Sequence, residues 1–83
     1  MSSTELLSTR QCTVDIDMLQ TYTQPTEHSP AGPRTFRRGD HISYTDVKSG
    51  EDLSRDGRHT HLWGHQSDTQ LFFWLGGTDH PNG

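Results

Sequence analysis

Apolar and polar side chains alternate along residues 12–22. Cys12, Val14, Ile16 and Met18 fall on one parity, and Thr13, Asp15 and Asp17 on the other. A period of two with β-branched residues predicts a half-buried strand. Leu19 interrupts it and marks a bulge or the strand's end. The same period returns at residues 41–47, where Ile42 and Tyr44 share a face, and further short strands are expected at 58–63 and 69–75. Between these runs, residues 24–35 hold three of the four prolines and read as a Pro-rich loop or linker without regular structure. Residues 48–58 read as a charged loop ending in an Asp56-Gly57 turn, and Gly76-Gly77 closes the last strand. No helix is predicted, because the best window, residues 4–11, has only Leu6 and Leu7 as an apolar face. The pattern therefore predicts a mainly β protein, a small antiparallel barrel or sandwich of four to five strands. Residues 12–77 form the single domain, after a flexible lead-in (1–11) and before a disordered tail (78–83).

Composition narrows this picture. Only 27% of the 83 residues are apolar, against about 45–50% in ordinary globular chains. The large apolar side chains, among them Phe36, Ile42, Trp63 and the run Leu71-Phe72-Phe73-Trp74-Leu75, lie mostly in the second half. A core is possible only through that concentration, and a domain this small usually gains from a metal, a disulfide or a partner chain. Cys12 is the single cysteine, so an internal disulfide is excluded. Net charge is -4, yet six of the seven basic side chains sit between residues 34 and 58 beside five acids. Such local matching offers no stripe for a polyanion, and nucleic acid is not an expected partner. The first residues lack a secretory pattern and no run reaches membrane-spanning length, so a cytoplasmic protein with no membrane association is expected.

The densest candidate chemistry is His59, His61 and His65, spaced His-x-His-x3-His. On a strand His59 and His61 point the same way, about 7 Å apart. If Gly64 folds the chain back, His65 joins them as a third ligand for zinc or another divalent transition metal. The His-x-His spacing resembles the metal motif of cupins, although the glutamate ligand and the second histidine motif of that family are missing. The order Gly39-Asp40, Tyr44-x-Asp46, Asp56-Gly57 resembles the first half of allene-oxide-cyclase-type small barrels. That resemblance covers at most residues 12–64 and implies β-barrel topology, with no active-site residue carried over.

Other constellations have plainer explanations. Arg34, Phe36, Arg37 and Arg38 form a basic-aromatic cluster, expected to bury Phe36 while the arginines pair with nearby acids. Arg38-Gly39-Asp40 reads as a turn leading into a strand. No nucleophile-elbow pattern or phosphate-cradling glycine loop occurs, and Cys12 reads as a small core residue.

Function follows largely by subtraction. The expectation is a non-enzymatic interaction or regulatory module that docks to a protein partner or to itself, through Phe72, Trp74 and Trp63. In a strand, residues 71–75 have two apolar faces, and a chain this polar has little with which to cover both. No cofactor is expected in that reading. The alternatives are a metal protein using His59, His61 and His65, and a small-ligand barrel whose cavity is lined by Tyr44, Trp63, Phe72 and Trp74.

Overall fold

β-branched and aromatic residues at alternating positions suit a pleated, half-buried surface, and the chain folds accordingly. The computed structural model describes residues 9–55 and 57–82. It contains β1 (Arg10–Thr13), β2 (Met18–Tyr22), β3 (Ala31–Arg37), β4 (His41–Tyr44), β5 (Asp46–Arg55), β6 (Arg58–Gln66) and β7 (Leu71–Trp74), followed by a 3₁₀ turn at Leu75–Gly77. The mainly β, antiparallel architecture is as the alternation predicts. β1 pairs with β4 in one sheet, and the other sheet has the order β3-β2-β7-β6-β5.

Several boundaries differ from the sequence reading, each for a physical reason. The run 12–22 is two strands in different sheets, because the backbone changes partners midway. Val14 N–H donates to the Asp40 carbonyl at 2.8 Å and Asp15 N–H to that of Gly77 at 2.8 Å. The proline-rich segment is a loop only to Pro30, since β3 begins at Ala31 and runs through Pro33. β3 is an outer strand, where a missing N–H on the free side breaks no ladder. The charged segment is also largely strand, as β5 extends to Arg55. β5 is the other outer strand and mostly exposed, so it has no apolar alternation to reveal it. Two register pairs, Ser49 with Leu62 and Leu53 with Thr60, place extra β5 residues in a bulge around residues 50–52. These additions, with the division of 12–22, make seven strands among the described residues.

The turns behave more as expected. Gly39, at φ 94°, lies in the turn between β3 and β4, and Gly57 at φ 76° lies between β5 and β6. Asp56, the other half of the expected hairpin turn, lies outside the described residues, as do residues 1–8 of the lead-in. Arg10 and Gln11, also placed in the lead-in, pair with Tyr44 and Ser43. Of the expected tail, Thr78 is buried and bridges Val14, and an Asp79 Oδ1 accepts from Thr13 N–H at 2.8 Å.

The five-stranded sheet is apolar on both faces at its centre. On one face, Tyr44 of the small sheet meets Phe73 edge-on, with ring centroids 5.5 Å apart. Gly64 lies opposite Phe73, and a Cβ there would run into the Phe73 ring. Cys12, Val14 and Ile42 from the small sheet and its extension complete this buried layer. On the other face, Trp63 stands opposite Trp74 and Tyr22 opposite Phe72. Pro25 of the loop at residues 23–30 lies beside Trp63, Gly76 packs on the Trp74 ring, and His65 stacks on Phe72.

Candidate functional site

The three histidines lie on β6, and the strand does not turn at Gly64. Glycine serves close packing against Phe73 there, so the backbone stays extended to Gln66. His59, His61 and His65 share one parity but are strung along the strand, about 7 and 13 Å apart, with Trp63 between the last two. Each has its own surroundings. His59 Nε2 lies 2.7 Å from Asp52 Oδ1, His61 is exposed, and His65 stacks on Phe72 at 4.6 Å with Nδ1 3.3 Å from Asp46. The structure does not bring these three imidazoles together around a common point.

The aromatic residues expected to meet a partner are mainly interior. Trp63 is 0% and Trp74 3% exposed. Their indole N–H groups donate to the carbonyls of Glu51 and Thr60, each at 2.9 Å. Phe72 is half-buried beneath His65. Tyr44 belongs to the filled interior against Phe73, so it lines no common cavity with the two indoles. Among the described residues the exposed large apolar side chain is Met18, at 64%.

Met18 stands at the mouth of a cavity of about 360 Å³ on the Trp63 side of the sheet. Ile16, Leu19, Tyr22, Leu53, Trp63 and Trp74 give it an apolar floor, with Asp17, Glu27 and Arg55 also lining it. Tyr22 and Trp63 meet at 5.9 Å with planes 76° apart, forming a corner. Burial, with the nearby Glu27 carboxylate, raises the Tyr22 phenol above its ordinary pKa and keeps it neutral. All three charged groups have opposite neighbours: Arg55 meets Glu27 at 2.7 Å and Asp17 meets Arg38 at 3.1 Å.

One wall of this cavity depends on how the 23–30 loop is held. Thr23 N–H donates to the Pro30 carbonyl at 3.1 Å and Ser29 Oγ to that of Thr26 at 2.7 Å. The loop docks on the β5 bulge through Glu51 N–H, which donates to the Pro25 carbonyl at 2.9 Å. Gly50 permits that approach, since a Cβ would run into the same carbonyl.

The docking also gathers Glu27, His28 and Glu51, a group the sequence reading missed. One donor atom from each lies within 4.8 Å of the others. Glu51 Oε1 accepts from Thr26 Oγ1 at 2.7 Å and from Glu27 N–H at 2.9 Å, while Oε2 lies 3.0 Å from His28 Nε2. The Thr26 hydroxyl is the largest influence holding the Glu51 carboxyl below its ordinary pKa. Glu27 and His28 are adjacent, but nothing in the spacing marks Glu51 as their neighbour.

The remaining candidates are structural. Phe36 is buried under the Arg34 guanidinium, which sits 5.0 Å from its ring centre, and Arg38 pairs with Asp17. Cys12 is buried as a free thiol, and desolvation pushes its pKa up to about 11. No helix among the described residues is long and apolar enough to cross a membrane. Compared with known protein families, curated proteins and solved structures, the chain matches none.

Proposed function

We propose that this protein is a small non-enzymatic docking module, which takes an apolar side chain of a protein partner into the Tyr22–Leu53–Trp63 cavity. The cavity itself carries the reading: about 360 Å³ is at the small end of the roughly 300–1,000 Å³ typical of ligand sites. Its floor is aliphatic and aromatic, and the paired charges around it favour an uncharged group over an ion. The argument for self-association has less support, because Phe72 and Trp74 are covered within one chain to the extent described. A different protein is therefore the preferred partner. A cytoplasmic setting belongs to the same reading, and a free, buried cysteine suits a reducing compartment.

A free small molecule draws on the same cavity and is the second reading. Capped amides of phenylalanine, leucine and serine, titrated into ¹⁵N-labelled protein, test both. Phenylalanine or leucine amide should shift Tyr22, Leu53 and the Trp63 indole saturably, and serine amide should not. Met18→Asp should weaken the effect without disturbing the fold, since this side chain is 64% exposed. Peptides that flank the apolar residue on both sides should bind more tightly than the amide if the ligand is a protein. Shifts absent from these residues, or equal for all three amides, would remove the proposal.

A further inference from the structure

We propose that Glu27, His28 and Glu51 form a divalent-cation site of the zinc class, where the 23–30 loop meets the β5 bulge. This proposal does not rest on the docking reading, although Glu27 also lines the cavity. The first ground is convergence. Two chain segments far apart in sequence bring one imidazole nitrogen and two carboxylate oxygens within 4.8 Å of one another. The His28 Nε2 to Glu51 Oε2 separation is 3.0 Å. Ligands bound to zinc at about 2.0–2.2 Å stand about 3.4 Å apart around a tetrahedron, so this pair needs little rearrangement.

The second ground is how the ligands are held. The Thr26 hydroxyl donates to Glu51 Oε1 at 2.7 Å and accepts from His28 N–H at 3.2 Å, so one side chain braces two candidate ligands. Glu27 N–H also donates to Glu51 Oε1, at 2.9 Å. Those bonds orient one oxygen of the carboxylate and leave the other directed at His28. Outer support of this kind fixes ligand geometry in metal sites. The donor set selects the ion: imidazole favours zinc-like ions over calcium or magnesium, and two carboxylates offset a double positive charge.

A competitor is present too. Arg55 Nη2 lies 2.7 Å from Glu27 Oε2, and its positive charge opposes the recruitment of Glu27 by an incoming cation. Three protein ligands leave at least one position open to water or to a group from a partner. His28 is 79% exposed, so the site is reachable from solvent.

The test uses Zn²⁺ alone, titrated calorimetrically into the metal-stripped intact chain. One equivalent should bind with micromolar affinity and raise the melting temperature. His28→Ala should weaken binding at least tenfold, and its exposure makes loss of fold an unsuitable explanation. The double variant His59→Ala, His61→Ala should leave affinity unchanged. Arg55→Gln should strengthen it several-fold by freeing Glu27. Mn²⁺ should broaden the amides of residues 26–29 and 50–52 selectively. Unaltered Zn²⁺ affinity in His28→Ala, broadening centred on β6, or no binding at millimolar Zn²⁺ would overturn the site. Unchanged affinity in Arg55→Gln would overturn Glu27 as the third ligand. None of these failures touches the amide titration that tests the cavity.

Discussion

The two faces of the five-stranded sheet are comparably apolar at their centre but are covered in different ways. Over Phe73 lies another sheet, and the contact is keyed by Gly64 on one strand and Tyr44 on the opposing layer. Over Trp63 lies a loop, held by backbone and hydroxyl hydrogen bonds, and a cavity of about 360 Å³ remains beside it. A regular layer brings side chains at a repeat that interdigitates, so it can fill space to crystal-like density. A loop satisfies its own backbone first and fills space second. Binding capacity is therefore expected on the loop-covered face, and stability on the layered one.

Truncation should separate the faces most sharply. Phe73→Ala, at a fully buried position, should cost about 3–5 kcal/mol. Leu53→Ala enlarges a space that already exists, and should cost about 2 kcal/mol, the low end for that substitution. Urea denaturation of both variants checks this, and equal losses would erase the distinction between the faces. Gly50→Ala comes next. A methyl there pushes on the Pro25 carbonyl, and overpacking of this kind costs about 1–3 kcal/mol. The expected signature is local: faster amide exchange at Glu51 and across residues 23–30, with β6 and β7 still protected. Exchange that rises everywhere would show that the loop is integral to the core.

Titratable groups sharpen the same contrast with smaller effects. On the layered face, burial raises the Cys12 thiol from its ordinary 9.0 to about 11. Native protein should consume iodoacetamide with a midpoint near that raised value, and a midpoint at 9.0 would mean the layer opens readily. The sign for stability follows: the neutral thiol is favoured in the fold, so stability holds below the ordinary pKa and is lost as pH rises through the folded one. On the loop-covered face the direction reverses. Thr26 and Glu27 stabilise ionised Glu51, so its contribution is present above the ordinary carboxylate range and lost as pH falls through its depressed pKa. Carboxyl-carbon NMR should place Glu51 below the ordinary 4.5, and a value at or above that would remove the proposed hydrogen-bond support.

The sequence disclosed strands wherever one side was buried and the other wet. β1 and β4 announce themselves through Cys12, Ile42 and Tyr44 because alternation survives there, and β7 through its short unbroken apolar run. β3 and β5 do not, because outer strands admit Pro33, Lys48 and Glu51 at little cost, and such residues mimic loops. The passage from β1 to β2 is hidden for another reason: parity continues through Val14 and Ile16 while hydrogen-bond partners change. At the sites, His59, His61 and His65 are legible as a cluster on one face. Their failure to converge depends on an extended Gly64, and the reason for that lies in the Phe73 ring across the strand. The Glu27–His28–Glu51 group depends on a loop docking to a bulge, and neither segment carries a local signal of the other.

The position of β7 has a consequence for how this chain survives in a crowded solution. Leu71 to Trp74 is the segment best suited to stack with copies of itself, being apolar, aromatic and free of charge. It is the middle strand of its five-stranded sheet, with two strands on either side. The margins are β3, interrupted by Pro33, and β5, bulged and carrying Lys48, Glu51, Asp52 and Arg55. Proline, bulges and charge at the outermost strands all discourage another molecule from continuing the ladder. The sticky segment is thus quarantined by its own neighbours, and polymerisation must wait for the sheet itself to come apart.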